Sequence, residues 1–398
     1  MEDAVGNAVG DAPIDSRWDD DTFLDELRAQ TDVTADETVA ALVRDGGVAA
    51  VNRIFATLRA DDRELPADAP APLRDFIAAT EAPLPDLDFD RLQRGGDVFL
   101  RHGFSAAIVL LLDSLPQGYS APCLSRLLTI SDDLGTHPYK RLMGVLQLLV
   151  DISQARAFTP GGRATVQAQK MRLLHAGVRL QAHRFRPDYQ RRFGLPVNHE
   201  DMLATSMGFS WLVISGLRTL GASLRPEEEE DLYYLWYGFS RMMGIHPPGR
   251  PDDDHYVPRT VAEAEIFYDA YARRQYAAAE DNPDGVMLSR VNLKMVEDLL
   301  PRWTRWLGLG ILPRLVMTRL LGEDGMERVG IPAVTGHRFL GGGLGLVLRT
   351  CQRLTDDCPG HLAERLGRLA FQEMIDVSRG GEVTFCVPVN LEELHSLA

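Results

Sequence analysis

Hydrophobic residues recur along most of the chain at intervals of three and four, the spacing that places them on one face of an α-helix. Alternation of apolar and polar residues, typical of a half-buried strand, is confined to "EVTFCVPV" near residues 383–389. The pattern therefore predicts an all-α protein with at most one extended segment. Short helices are expected near residues 22–30, 36–44, 48–58 and 73–80, and longer ones near 88–114, 137–154, 165–185, 198–220, 226–243, 261–276, 286–300, 303–321, 337–353 and 361–378.

The arrangement of these segments predicts one large domain. No internal repeat with a period of about 20 to 50 residues is evident, and no linker rich in Gly, Ser or Pro divides the middle of the chain. The first residues, "MEDAVGNAVGDAPIDSRWDDD", are acidic and short of large apolar side chains. We therefore expect a mobile acidic tail over residues 1–20 and a single helical domain over residues 21–398.

Composition and charge restrict the class of partner. The 398 residues include 45% hydrophobic and 25% charged residues, a balance typical of globular proteins, and the net charge of -15 argues against nucleic acid or an anionic membrane surface as the main partner. The longest apolar run, "FSAAIVLLL" at residues 104–112, is shorter than the roughly 20 residues of a membrane span and predicts a buried helix. The N-terminus shows no basic segment followed by an apolar one, so we expect a cytoplasmic location.

The motifs of several enzyme classes are missing from the sequence. It has no Walker loop, no GxGxxG after a strand, no HExxH and no GxSxG elbow. The glycine-rich "FLGGGLGLVL" at residues 339–348 lies within an apolar helical pattern, which favours close helix packing over phosphate binding. The ten histidines are scattered and the four cysteines form no CxxC pair, so a zinc site is not indicated.

One histidine interrupts an apolar helix face. In "QKMRLLHAGVR", residues 169–179, His175 shares a face with Met171, Leu174 and Val178, and Ala182 continues that face. This face is expected to point into the core, where an imidazole needs a partner. Two interpretations stay open: a structural histidine bonded to a backbone carbonyl, or an axial ligand that offers a nitrogen lone pair to haem iron among apolar side chains.

Two arginines frame this histidine on the same predicted helix. Arg172 precedes His175 by three residues and Arg179 follows it by four, so both lie on the histidine's side of the helix. They are either ordinary arginines at a helix edge or partners for carboxylates such as haem propionates.

Longer motifs carry a resemblance to a known family. The stretch "GGRATVQAQKMRLLHAGVR", followed by "GLPVNHEDMLATSMGFSWLVISGLRTLGASLRPEEEEDLYYLWYGFSRMMGI", resembles the rubber oxygenase (latex clearing protein) family, which also contains the oxygenase that cleaves the mycophenolic acid side chain. The similarity continues upstream through "RLQRGGDVFLRHG" and "KRLMGVLQLLVD", and downstream through "LPRWTRWLGLGILPRLVMTRLLG". It covers roughly residues 73–330, and the order and spacing of the motifs are more specific for the family than for one reaction.

The resemblance implies a globin-like all-α core that binds b-type haem, with His175 as the proximal iron ligand. It also implies that dioxygen is activated to cleave an isoprenoid carbon-carbon double bond, and it places the family's distal arginine at Arg141. The polar pair that follows this arginine in rubber-cleaving members is replaced here by Gly144 and Val145, and the position nearest to the proposed catalytic carboxylate is Ser125. We therefore expect a more open and more apolar distal pocket than in a rubber-cleaving enzyme.

These expectations combine into one leading hypothesis, a cytoplasmic haem b-dependent oxygenase that uses dioxygen to oxidise a small apolar or isoprenoid-type molecule. His175 holds the iron, Arg141 stabilises negative charge on bound oxygen, and the expected pocket walls are Met171, Val178, Val145 and Phe209. Three alternatives stay open: another oxidation such as hydroxylation, epoxidation or peroxidase-like chemistry, a haem sensor or carrier without turnover, and a haem-free interaction protein.

Overall fold

The computed structural model describes residues 15–59, 68–82, 84–130, 138–154, 156–250, 253, 255–299 and 309–335. All regular secondary structure in these ranges is helical, which confirms the all-α prediction. The predicted helices at 337–353 and 361–378 and the extended segment at 383–389 lie outside the described residues. The α-helices are α1 (Asp21–Arg28), α2 (Val33–Arg59), α3 (Ala71–Glu81), α4 (Phe89–Arg101), α5 (Gly103–Val109), α6 (Leu115–Tyr119), α7 (Pro122–Ile130), α8 (Pro138–Ile152), α9 (Arg163–Phe185), α10 (Pro187–Phe193), α11 (His199–Phe209), α12 (Trp211–Leu220), α13 (Pro226–Met242), α14 (Val261–Gln275), α15 (Pro283–Leu299) and α16 (Leu312–Arg328).

Two predicted long helices are each divided in the structure. The helix expected over residues 88–114 is broken at His102, whose backbone is not helical, and the two halves meet at 80°. The helix expected over residues 198–220 is broken at Ser210 in the same way. Apolar spacing continues across both breaks because the segments on either side bury their apolar faces in the same core. The spacing of apolar residues therefore does not reveal the bends at His102 and Ser210.

The expected N-terminal tail is shorter than predicted. Residues 16–19 form a turn of 3-10 helix, and Trp18 is buried with its ring edge-on to Phe23 at 5.5 Å and to Phe267 at 6.0 Å. The boundary at residue 20 is therefore wrong, because the apolar surface that Trp18 buries holds this segment against the core despite the acidic residues around it. Residues 1–14 lie outside the described part of the chain, and the single domain over 21–398 stays a prediction.

A large apolar core and a smaller one share helix α9. The large core gathers buried side chains from α4, α8 and α11 to α14, and the smaller one lies between α2, α3 and α9 around Val39, Phe76 and Leu173. Helices α4 and α13 approach so closely that a Cβ built on Gly95 would lie 2.1 Å from the carbonyl oxygen of Asp231. This contact requires glycine.

The apolar run at residues 104–112 contributes to the large core as predicted, except that Phe104 is 61% exposed. In the ranges that the structure describes, no single helix has the length and hydropathy of a membrane span. Among the described helices, one bent pair, Phe89–Arg101 with Gly103–Tyr119, meets both criteria when its two members are taken together.

Candidate functional site

Helix α9 carries most of the predicted site residues. It begins after Gly162, where a Cβ would lie 2.3 Å from the carbonyl oxygen of Ala157, so the tight entry into the helix requires glycine. It ends at Phe185 because Arg186 leaves the helical conformation before Pro187, a residue that disfavours the α conformation in its predecessor. The 23 residues between place His175 at the centre of the helix.

The face of α9 that carries His175 is buried at both ends and half-buried in its middle. Ala164 and Ala168, on the same face, are buried in the large core, and Met171 packs against it while half-buried. His175 and Val178, further along, are half-buried, and Ala182, which closes the face, is buried. The prediction that this face points toward the core is confirmed at its two ends, whereas its middle is only half-buried. An apolar strip with one imidazole is left partly uncovered.

Arg172 is buried and paired with a carboxylate of the protein. Its Nε and Nη2 donate to the two carboxylate oxygens of Asp32 at 2.6 Å and 3.0 Å, and Nη1 donates to the carbonyl oxygen of Met242 at 3.5 Å. Burial alone would raise the pKa of Asp32, but the hydrogen bond and charge of Arg172 outweigh it and hold that pKa below its usual value. The residue just before α2 is thereby fixed to α9.

Arg179 has a second partner on α2. Its Nε donates to Asp36 at 2.7 Å and its Nη1 to the carbonyl oxygen of Val197 at 3.2 Å. The expectation that Arg172 and Arg179 bind cofactor carboxylates stays a prediction, and in the structure α2 and the turn before it supply carboxylate partners for both. Among the guanidinium nitrogens of these two arginines, Nη2 of Arg179 is buried with no hydrogen-bond partner among the described residues.

Helix α8, which carries the other predicted site residues, is joined to α9 by Asp151. This buried carboxylate accepts hydrogen bonds from Gln147 at 3.0 Å, Arg163 at 2.9 Å and Gln167 at 3.1 Å. Because Gln147 and Asp151 belong to α8 and the two other donors belong to α9, the carboxylate fixes one helix against the other.

The remaining predicted residues occupy different surroundings. On α8, Gly144 is buried and Val145 is half-buried against the large core, while the side chain of Arg141 lies outside the described part of the structure. Phe209, at the end of α11, is half-buried and stacks on Trp236 with ring centroids 5.0 Å apart and an interplanar angle of 15°. Its ring contributes to core packing, and its role as a pocket wall stays a prediction.

A histidine that sequence reasoning missed lies near the paired arginines. His199, the first residue of α11, is 1% exposed, and neither ring nitrogen has a hydrogen-bond partner among the described residues. Burial and the charges of Arg179 and Arg172 lower its pKa to about 3, with Asp32 opposing. Its only signal in the sequence was its place after the N-cap residue Asn198, which says nothing about tertiary burial.

The donor set around His175 fits a single-imidazole cofactor better than a metal ion held by several side chains. Within the described ranges, no group of three or more His, Cys, Asp or Glu side chains is arranged to hold a metal ion. Helix α9 presents an imidazole on a partly exposed apolar strip. One turn later, Nη2 of Arg179 is a buried donor with no hydrogen-bond partner among the described residues. This combination suits an imidazole ligand of b-type haem. A separate cavity of about 360 Å³, lined by Arg28, Cys123 and Arg192 among others, includes none of the predicted site residues.

Comparisons with known proteins agree with the resemblance read from the sequence. Residues 97–350 match the family model described as ER-bound oxygenase mpaB/B'/Rubber oxygenase, catalytic domain. The chain is 26% identical over 300 residues to the rubber oxygenase of Streptomyces sp. (strain K30), an alignment that covers 73% of this chain and 69% of that protein. The solved structure of latex clearing protein LCP in the closed state superposes with a TM-score of 0.66 at 22% identity, covering 87% of this chain and 90% of the other, which shows a shared fold.

Proposed function

The chain belongs to the mpaB and rubber oxygenase catalytic-domain family, and on that premise we propose that it is a haem b-dependent oxygenase acting on a small apolar or isoprenoid-type substrate. Family membership makes it an oxidoreductase that uses dioxygen. The haem, the substrate class and a cytoplasmic location with no nucleic-acid partner are the proposed parts.

The observation that carries the proposal is the half-buried apolar strip of α9 with His175 in its middle. A bound haem supplies iron for dioxygen activation, which no side chain of the protein provides. His175 would hold this iron through one ring nitrogen, and Met171 and Val178 would offer apolar contacts beside it. The charged partners Asp32 and Asp36 are already taken by Arg172 and Arg179, so the strip itself stays apolar.

Helix α8 would form the opposite wall of the site. In this proposal Arg141 donates hydrogen bonds where negative charge grows during the reaction. Gly144 and Val145 carry no proton donor or acceptor in their side chains, so this wall excludes water and accepts an apolar substrate without offering a general base. Asp151 keeps α8 and α9 at a fixed separation through its hydrogen bonds to Arg163 and Gln167.

A visible spectrum of protein purified from haem-replete cells tests the proposal. We expect a Soret band with about one haem per chain, and a shift of that band after dithionite and carbon monoxide, because an oxygenase must leave room at its cofactor for dioxygen. Colourless protein under these conditions would contradict the proposal. Oxygen consumption with squalene as an isoprenoid probe then separates an oxygenase, which forms carbonyl or hydroxylated products, from a carrier that binds ligands reversibly.

A further inference from the structure

Two ion pairs bracket His175 along α9. Arg172 lies three residues before the histidine and Arg179 four residues after it, so the two contacts lie about two helical turns apart with His175 between them. Their partners are Asp32, just before α2, and Asp36, in the first turn of α2. The four side chains bring together segments separated by 140 and 143 residues in the chain.

The first pair has little freedom to move. Both carboxylate oxygens of Asp32 are bonded to the planar guanidinium of Arg172, and the two side chains are only 2% and 8% exposed. A bidentate contact of this kind fixes the orientation of the guanidinium as well as its distance. Gly244 closes the site from the end of α13, since a Cβ there would lie 2.6 Å from Asp32 Oδ2 and 2.9 Å from Arg172 Nε.

The second pair is looser and has room around it. Arg179 is 8% exposed, but Asp36 is 31% exposed and accepts through a single oxygen at 2.7 Å. The same carboxylate also accepts from the hydroxyl of Thr31 at 2.9 Å. Two anchors that lie seven residues apart, on one side of α9, restrict both the rotation of the helix about its axis and its shift along that axis.

We propose that Asp32 and Asp36 are positioning residues that form a clamp on α9 and thereby set the direction of the His175 imidazole. The inference rests on the proposed function, since the imidazole matters as a ligand of haem. Neither carboxylate touches the cofactor in this proposal. They act through Arg172 and Arg179, as residues around a metal ligand orient that ligand.

Substitutions at the two carboxylates of the clamp are expected to have different effects. Asp32→Asn and Asp36→Asn should each weaken haem binding about tenfold and alter the electron paramagnetic resonance signal of the ferric protein, because the imidazole can then rotate. Asp36→Glu should restore the wild-type signal, since Asp36 is partly exposed and tolerates a longer side chain. Asp32→Glu should not, since Gly244 leaves no space beside it.

The matched control is Asp231→Asn, which removes an interhelical carboxylate that pairs with Arg91 and Arg94 and joins α4 to α13. It should lower stability while leaving the haem affinity and the resonance signal unchanged. If Asp32→Asn and Asp36→Asn lose stability but keep the wild-type haem affinity and signal, the clamp is only structural and the inference is wrong.

Hydrogen exchange of the amides around His175 in haem-free protein gives a readout that does not depend on the cofactor. We expect faster exchange in Asp32→Asn and Asp36→Asn than in wild type and Asp231→Asn. Wild-type protein that binds no haem would overturn the proposed function, whereas unchanged exchange in both clamp variants would overturn the clamp itself. The two failures are therefore distinguishable.

Discussion

Gly244 lies against Asp32 with no room for a side chain between them, since a Cβ on the glycine would be 2.6 Å from Asp32 Oδ2. The glycine also has a φ of 77°, in the left-handed region that side chains disfavour. One backbone position after α13 therefore protects the ion pair that fixes α9.

Replacement of Gly244 by alanine should lower the free energy of unfolding by about 3 kcal/mol or more, because it combines a left-handed backbone penalty with disruption of a buried ion pair. Chemical denaturation measures the change. Gly249→Ala is the matched control, since Gly249 has a φ of 73° but no atom within 4 Å of its added Cβ, and it should cost only about 1 kcal/mol. Equal losses in both variants would show that the contact with Asp32 is unimportant.

Replacement of His175 by alanine should abolish the Soret band of purified protein, because the strip of α9 then offers no nitrogen to the iron. Helix α9 tolerates alanine well, so the variant is expected to fold. His183→Ala is the control, since His183 lies eight residues later on the same helix and is exposed. Full haem content in His175→Ala, judged by the absorbance ratio, would remove the axial assignment.

The helix that carries His175 could be predicted from local spacing, whereas the partners of its arginines could not. Apolar intervals predict a helix over residues 165–185, and the structure has Arg163–Phe185. Asp32 and Asp36 are about 140 residues away in the chain, and no periodicity links them to Arg172 and Arg179. Contacts set by tertiary packing leave no trace in a local pattern, and the same limit hid the burial of His199.

Replacement of Arg141 by alanine should slow oxygen consumption with squalene by on the order of 100-fold while the haem content stays unchanged. The physical reason is the loss of a hydrogen-bond donor at a place where negative charge grows. Arg141→Lys keeps the positive charge but lacks the planar set of donors, so its rate of oxygen consumption should lie between the rates of wild type and Arg141→Ala. Turnover of Arg141→Ala at the wild-type rate, with normal haem, would show that this arginine has no role in the reaction.

Asp113 should make the protein less stable as the pH rises toward neutrality. Burial raises its pKa from 3.8 to about 7, and the hydrogen bond from Gln117 opposes this only in part. The folded protein then binds a proton that the unfolded chain loses above pH 3.8, so this contribution to stability decreases between pH 3.8 and 7 and is constant above that range. Asp113→Asn should match wild type near pH 4 and exceed its stability at pH 8 by on the order of 4 kcal/mol, measured by thermal and chemical unfolding. Parallel pH profiles for the two proteins would rule out the buried, protonated carboxyl.

His199 should act in the opposite direction, on the acid side. Its pKa falls from 6.5 to about 3 in the fold, so the folded protein keeps the imidazole neutral while the unfolded chain binds a proton below pH 6.5. Its contribution to stability is therefore complete above pH 6.5 and is lost as the pH falls toward 3, by about 2 kcal/mol at pH 5. His199→Phe keeps an aromatic ring against Tyr256, whose ring lies edge-on at 5.7 Å, and removes the titration. The stability difference between wild type and His199→Phe should therefore shift in favour of the variant from pH 7 to pH 5. A constant difference across this range would mean that the folded protein accommodates a charged His199.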